Sequence, residues 1–201
     1  MQASLPIQCR CGAVRGTLSQ PDRALRVVCY CLDCQTYAHA LGAAETVLNS
    51  HGGTDIVATL QQHVQFTHGR EHLACMLLTD QGIYRWYAAC CRTPLASTMR
   101  QPRMSYVGLV HSCLASNKTE FSDRWPTYVC VNTASASGNV RSDGLRTLKV
   151  TLSIAWHVVG AVARGTWRRT PFFVKGTTQP SAIPVVLPPD QRENPRRAIR
   201  S

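Results

Sequence analysis

The feature that most constrains this chain is the run Cys29-Tyr30-Cys31-Leu32-Asp33-Cys34, which puts three thiols within six residues. The chain of 201 residues carries ten cysteines, and in an exported protein an even count would read as a disulfide framework. The N-terminus, MQASLPIQCRCG, has neither the basic start nor the apolar run of an export leader. A cytoplasmic, reducing setting is therefore expected, in which clustered cysteines more often hold metal than pair with one another. Cys9 with Cys11, Cys29 with Cys31, and adjacent Cys90 with Cys91 are also poorly spaced for local disulfides.

Zinc takes about four soft ligands at roughly 2.3 Å for sulfur, and a tight turn into a helix N-terminus both gathers thiols and favours their ionised form. Cys29, Cys31 and Cys34 are thus the first candidate metal site. Three protein ligands leave one coordination position open, as in catalytic rather than structural zinc sites. Two alternatives stand beside this. A fourth ligand arriving from His39, His68, His72 or Cys75 would close the tetrahedron, and Cys31 with Cys34 would serve as a redox pair in a CxxC arrangement. Two further groups, Cys9-Arg10-Cys11-Gly12 and Cys90-Cys91-Arg92-Thr93-Pro94-Leu95, supply four more thiols. His39, about one and a half helical turns beyond Cys34, is a candidate proton carrier.

Between Ile7 and about Leu114 the pattern is one of short apolar or alternating runs separated by turn residues, which predicts strands. The segments are Ala13 to Leu18, Leu25 to Cys29, Asp55 to Leu60, His63 to Thr67, Leu73 to Leu78, Ile83 to Ala89 and Tyr106 to His111. Thr79-Asp80-Gln81-Gly82 reads as the turn of a hairpin. The expectation is a mainly β protein, a sandwich or folded sheet. A short helix runs from Cys31 to Leu41 and is stopped by Gly42.

A domain of residues 1–115 is followed by an extension, 116–178, with a strand at Thr127 to Asn132 and an amphipathic helix. Leu145, Leu148, Leu152, Ala155, Val159 and Val162 recur at steps of three and four, which predicts the stripe that docks this helix on the sheet. Lys149 and His157 interrupt its apolar run, so no transmembrane span is expected. Flanking Arg146, Arg164, Arg168 and Arg169 offer a membrane surface as the alternative contact. Residues 179–201, rich in Pro and Arg, read as a partly disordered basic tail. The formal net charge is +11, but the arginines are spread along the chain, which favours a solvated basic surface over nucleic acid binding.

The order CxCG, CxCxxC, then a cysteine followed by x-Thr-Pro-Leu resembles the glutathione-dependent formaldehyde-activating enzyme family, the CENP-V/GFA domain, over about residues 6 to 100. With the extension and the stretch Thr166 to Phe173, the whole chain looks like an uncharacterised bacterial branch of it. The resemblance implies a β-tent of small antiparallel sheets with zinc-binding knuckles. It implies a catalytic zinc on Cys29, Cys31 and Cys34, and a second zinc on Cys9, Cys11 and Cys91. The family's fourth ligand lies three residues before Cys91, where this chain has Ala88; the alternatives are Cys90 as a substitute, a water-completed site, another side chain, or no second zinc at all. The implied activity is that of a carbon–sulfur lyase on a small thiol adduct such as S-hydroxymethylglutathione, with glutathione as the thiol partner. Arg70 and Arg85 are candidates, by charge, for holding an acidic tripeptide. The alternative from a different class is a non-catalytic, zinc-stabilised module that binds a protein, an anionic membrane or nucleic acid.

Overall fold

The computed structural model describes residues 4–114 and 118–193, and it is mainly β. Strands β1 (Ser4–Gln8), β2 (Arg15–Ser19) and β5 (Val64–His68) form a three-stranded antiparallel sheet in the order β1-β2-β5. The second sheet has eight strands. Its centre is antiparallel and runs β3 (Leu25–Cys29), β4 (Thr54–Leu60), β9 (Tyr106–Val110), β8 (Thr93–Thr98), β7 (Tyr84–Ala88) and β6 (Leu73–Leu77). Both edges are closed by parallel additions: β10 (Tyr128–Val131) on β3 and β11 (Pro184–Val186) on β6. The sheets are therefore neither both small nor wholly antiparallel.

Period-two alternation divides the side chains of the large sheet between two layers. Val57, Cys75, Leu77, Trp86, Leu95, Val107 and Leu109 pack with Leu5, Ile7, Leu18, Val64 and Phe66 of the small sheet. Phe172 and Phe173 enter this same core from the C-terminal segment; Phe172 lies 5.2 Å from Trp86 and 5.7 Å from Phe66, centroid to centroid. On the opposite face lie α1 (Leu32–Ala40) and α2 (Ala44–Val47), where Tyr37, Ala38, Leu41 and Val47 meet Met76, Leu78, Val110 and Leu187. Arg85 falls between Tyr84 and Trp86, so alternation sends it to the α1 face.

Within the segment expected as a partly disordered tail, residues 184–186 form β11 and Leu187, just beyond it, is buried against the sheet; residues 194–201 of that tail lie outside the described residues. A short helix, α3 (Lys118–Arg124), precedes β10, and Arg26 of β3 is stacked between Phe121 and Tyr128. The long helix α4 (Gly144–Ala163) forms as expected, with Asp143 as its N-cap. It docks by another face, however. Ile154, Val158 and Ala161 pack on Leu60 and Tyr106, while Leu145, Leu148, Leu152, Val159 and Val162 of the expected docking stripe are exposed. No helix among the described residues is long and apolar enough to cross a membrane.

Candidate metal centres

The first thiol group is built where β3 hands over to α1. Cys29 ends the strand, and the ladder to β10 continues one residue further through Tyr30 N–H to Val131 O at 3.0 Å. Cys31 is the N-cap of α1, in extended conformation, and its sulfur accepts the N–H of Cys34 at 3.3 Å. One helical turn thereby returns Cys34 to the two thiols before it. The three sulfurs lie within 4.8 Å of one another, with Cys29 and Cys31 3.4 Å apart. A tetrahedral ion with metal–sulfur bonds of about 2.3 Å separates its sulfurs by about 3.8 Å, so this group could hold a metal ion.

Two polar side chains complete these surroundings. Asn132, in left-handed conformation after β10, donates its Nδ2 to Cys29 Sγ at 3.3 Å. Its loop is pinned by buried Gln35, whose Nε2 donates to Tyr30 O at 2.8 Å and Ser135 O at 2.9 Å. Arg85 is 4% exposed and donates Nη1 to Cys34 Sγ at 3.5 Å and to Ser97 Oγ at 2.9 Å. Its guanidinium lies over the Tyr37 ring, 5.6 Å from the centroid. Burial works against its charge, but the Cys34 thiol, followed by Cys31 and Tyr37, raises its pKa above the ordinary value. Each thiol of the triad is raised in turn. The hydrogen bond with Cys31 dominates at Cys29, and the one with Cys29 dominates at Cys34. At Cys31 the bond with Cys29 lowers the value but is outweighed by Cys34 and by burial. A divalent cation reverses this mutual repulsion of neighbouring thiolates.

The second group is assembled from two turns far apart in sequence. After β1, Gly12 takes a φ of +78° that permits the tight return of Cys9-Arg10-Cys11, with Gly12 N–H on Cys9 O and Val14 N–H on Cys9 Sγ. Between β7 and β8, Arg92 takes a φ of +57° and its N–H returns to Ala88 O at 2.7 Å. That kink lets two adjacent cysteines present sulfur to the same side. Arg10 locks the turns together, its N–H on Thr93 Oγ1 at 3.0 Å and its Nη2 on Cys91 O at 3.1 Å.

Cys9, Cys11, Cys90 and Cys91 all lie within 4.8 Å of one another. The separations Cys9–Cys11 at 3.5 Å, Cys11–Cys90 at 3.3 Å, and Cys9–Cys90 and Cys90–Cys91 at 3.9 Å bracket the tetrahedral value. Burial pushes the Cys91 thiol up, but the Thr93 hydroxyl and contacts from Cys11 outweigh it and bring the pKa down to about 6. A cavity of about 330 Å³ adjoins this group, with Cys9, Arg10, Cys91 and Arg92 in its wall.

All seven thiols singled out from the sequence thus fall into two groups, and Cys90 stands fully within the second. Ala88 is buried in the apolar core at the end of β7, in the same cluster as Cys9, and its methyl group offers no ligand atom. His39, His68, His72 and Cys75 join neither group: His39 and His68 are exposed, and Cys75 is buried in the main core. Arg70 is exposed in the turn between β5 and β6. Cys31 and Cys34 form no disulfide. Asn132 escaped the sequence reading, because a single Asn after a strand carries no local signal of what its amide will meet.

No curated protein matches the chain. The sequence profile of a family of unknown function, DUF6151, matches residues 1–176, and the chain belongs to that family.

Proposed function

We propose that the chain is a zinc protein with two unlike centres, and that the centre on Cys29, Cys31 and Cys34 works as a carbon–sulfur lyase on a small thiol adduct of the S-hydroxymethylglutathione kind. The observation that carries this reading is Arg85. A buried guanidinium needs a negative partner, because an unpaired one costs about 3–5 kcal/mol. Its hydrogen bonds go to the Cys34 thiol and the Ser97 hydroxyl, and its guanidinium lies over the Tyr37 ring. One divalent ion on three thiolates carries one net negative charge, which Arg85 balances.

The donors fit zinc. Sulfur-only sets suit this ion, and the resemblance to the formaldehyde-activating enzymes names it. When bound, zinc supplies Lewis acidity and keeps sulfur ionised at neutral pH. The protein's own groups do the rest. Asn132 and Arg85 donate to the Cys29 and Cys34 sulfurs, drawing charge from them and fixing their directions. Cys31, the least buried of the three, marks the side from which a ligand approaches. In the reaction, the adduct's C–S bond breaks to give thiol and aldehyde; the hydroxyl proton passes to sulfur, and the reverse step returns it to the carbonyl oxygen. Glutathione is an acidic thiol, and a chain of net charge +11 suits it. The other centre, Cys9, Cys11, Cys90 and Cys91, is read as a closed structural site that ties β1 to the β7–β8 turn. Free thiols at both centres call for a reducing compartment such as the cytoplasm.

A second reading, a zinc-stabilised module without turnover, is favoured by the depth of the triad, where Cys29 is 7% and Cys34 5% exposed. Following the exchange between free glutathione and its formaldehyde adduct by NMR separates the two. The enzyme reading expects metal-loaded protein to accelerate the exchange and Cys31→Ser to abolish the effect. An uncatalysed rate with fully loaded protein rejects the lyase in favour of the module.

A further inference from the structure

The helix α4 is apolar on two faces, and the core uses only one. At 100° per residue, Ile154, Val158 and Ala161 form the docked face. Leu145, Leu148, Leu152, Trp156 and Val159 lie on the side away from it, and all are exposed, Leu145 at 78% and Trp156 at 76%. Between these faces runs a basic flank of Arg146, Lys149, His157 and Arg164. That flank continues into a cavity of about 310 Å³ lined by Arg23, His63, His157 and Arg164 among others.

We infer that this exposed face of α4 is a docking surface for an anionic lipid bilayer, on which the helix lies in the interface plane with Trp156 inserted and the basic flank against the headgroups. Charge decides the occupant. From Gly144 to Pro189 the sequence has no Asp or Glu, but it has Arg146, Lys149, Arg164, Arg168, Arg169 and Lys175. A second copy pairing through the same stripe would set these cations against their own counterparts with no carboxylate on the helix to answer them. Negative headgroups answer them directly, and apolar area and basic charge add in such binding. An exposed tryptophan also suits the boundary between headgroup and acyl chain.

Flotation of the full-length, metal-loaded protein with vesicles tests this. Vesicles of phosphatidylcholine containing phosphatidylserine should carry the protein, pure phosphatidylcholine should carry far less, and salt should weaken the binding. Leu152→Glu should lower binding about tenfold or more, as should Lys149→Glu combined with Arg164→Glu. Val185→Glu, on the exposed edge strand β11, should leave it unchanged. Should Leu152→Glu fail to fold, a blue shift of emission on vesicle addition, lost in Trp156→Phe, reads the same insertion. Equal binding to both vesicle types, or no binding to either, overturns the proposal. So does a dimer in sedimentation velocity that Leu152→Glu dissociates while the unmutated chain ignores vesicles.

Discussion

The two thiol groups solve different problems with the same atom. The four-thiol group is stitched from two turns about eighty residues apart; Cys11 and Cys90 are exposed, the Val14 amide and the Thr93 hydroxyl meet its sulfurs, and Arg10 ties the two turns together. The three-thiol group comes from a single turn of chain, lies mostly buried, and meets the side chains Arg85 and Asn132. In the proposed reading, the group that joins distant turns acts as a fastener once it holds a metal. The locally preformed group, one sulfur short, keeps a position for a ligand in that same reading. Under the proposed roles, ligand count and sequence separation together, rather than cysteine number, divide a structural site from a reactive one.

The sharpest way to break this contrast is to remove one sulfur from each group. Cys11→Ser should have the largest effect. Structural zinc is worth about 10–16 kcal/mol in small domains, against a total stability of about 5–15 kcal/mol, so the variant should lose its cooperative thermal transition or melt far below the parent. Cys31→Ser should instead remain folded with one metal ion fewer. Its stability should fall by about 3–5 kcal/mol, since Arg85 is left without its counter-charge, as denaturant titration would read. Arg85→Met should keep both ions and lose about 2–3 kcal/mol with the charge-assisted hydrogen bonds to Cys34 and Ser97. If Cys31→Ser unfolds the chain as thoroughly as Cys11→Ser, the division of roles fails.

The smallest effect is expected at Ala88. Restoring a cysteine at the position where the formaldehyde-activating enzymes carry one should leave metal stoichiometry unchanged, because Ala88 is sealed in the core and Cys90 already joins the other three thiols. A cost of about 1 kcal/mol from overpacking is the anticipated change. Tighter metal binding in Ala88→Cys would show that Cys90 is not a ligand.

Much of the three-thiol site was legible in the sequence because it is local: a strand end, an N-cap and one helical turn lie within six residues. The four-thiol site was legible in part. Nothing in the spacing showed that the left-handed turn at Arg92 would let adjacent cysteines converge. Arg85 is legible in the sequence only as one of two candidates by charge, beside Arg70; the fold is what brings it to Cys34. Strands β1, β8 and β11 were missed, and each contains proline, namely Pro6, Pro94 and Pro184, which weakens a strand signal. The orientation of α4 was misread because its most regular stripe, at steps of three and four, is not the one the core covers. Periodicity reports that a helix has apolar faces; which one docks depends on the partner surface, here Leu60 and Tyr106.

The central claim, two zinc centres of unequal denticity, is tested most directly by metal analysis of the purified chain together with X-ray absorption at the zinc edge. The expected result is two zinc ions per chain with an average of about 3.5 sulfur ligands each, becoming one ion with four sulfurs in Cys31→Ser. A chain that binds no zinc, or a Cys31→Ser variant that retains both ions, would contradict it.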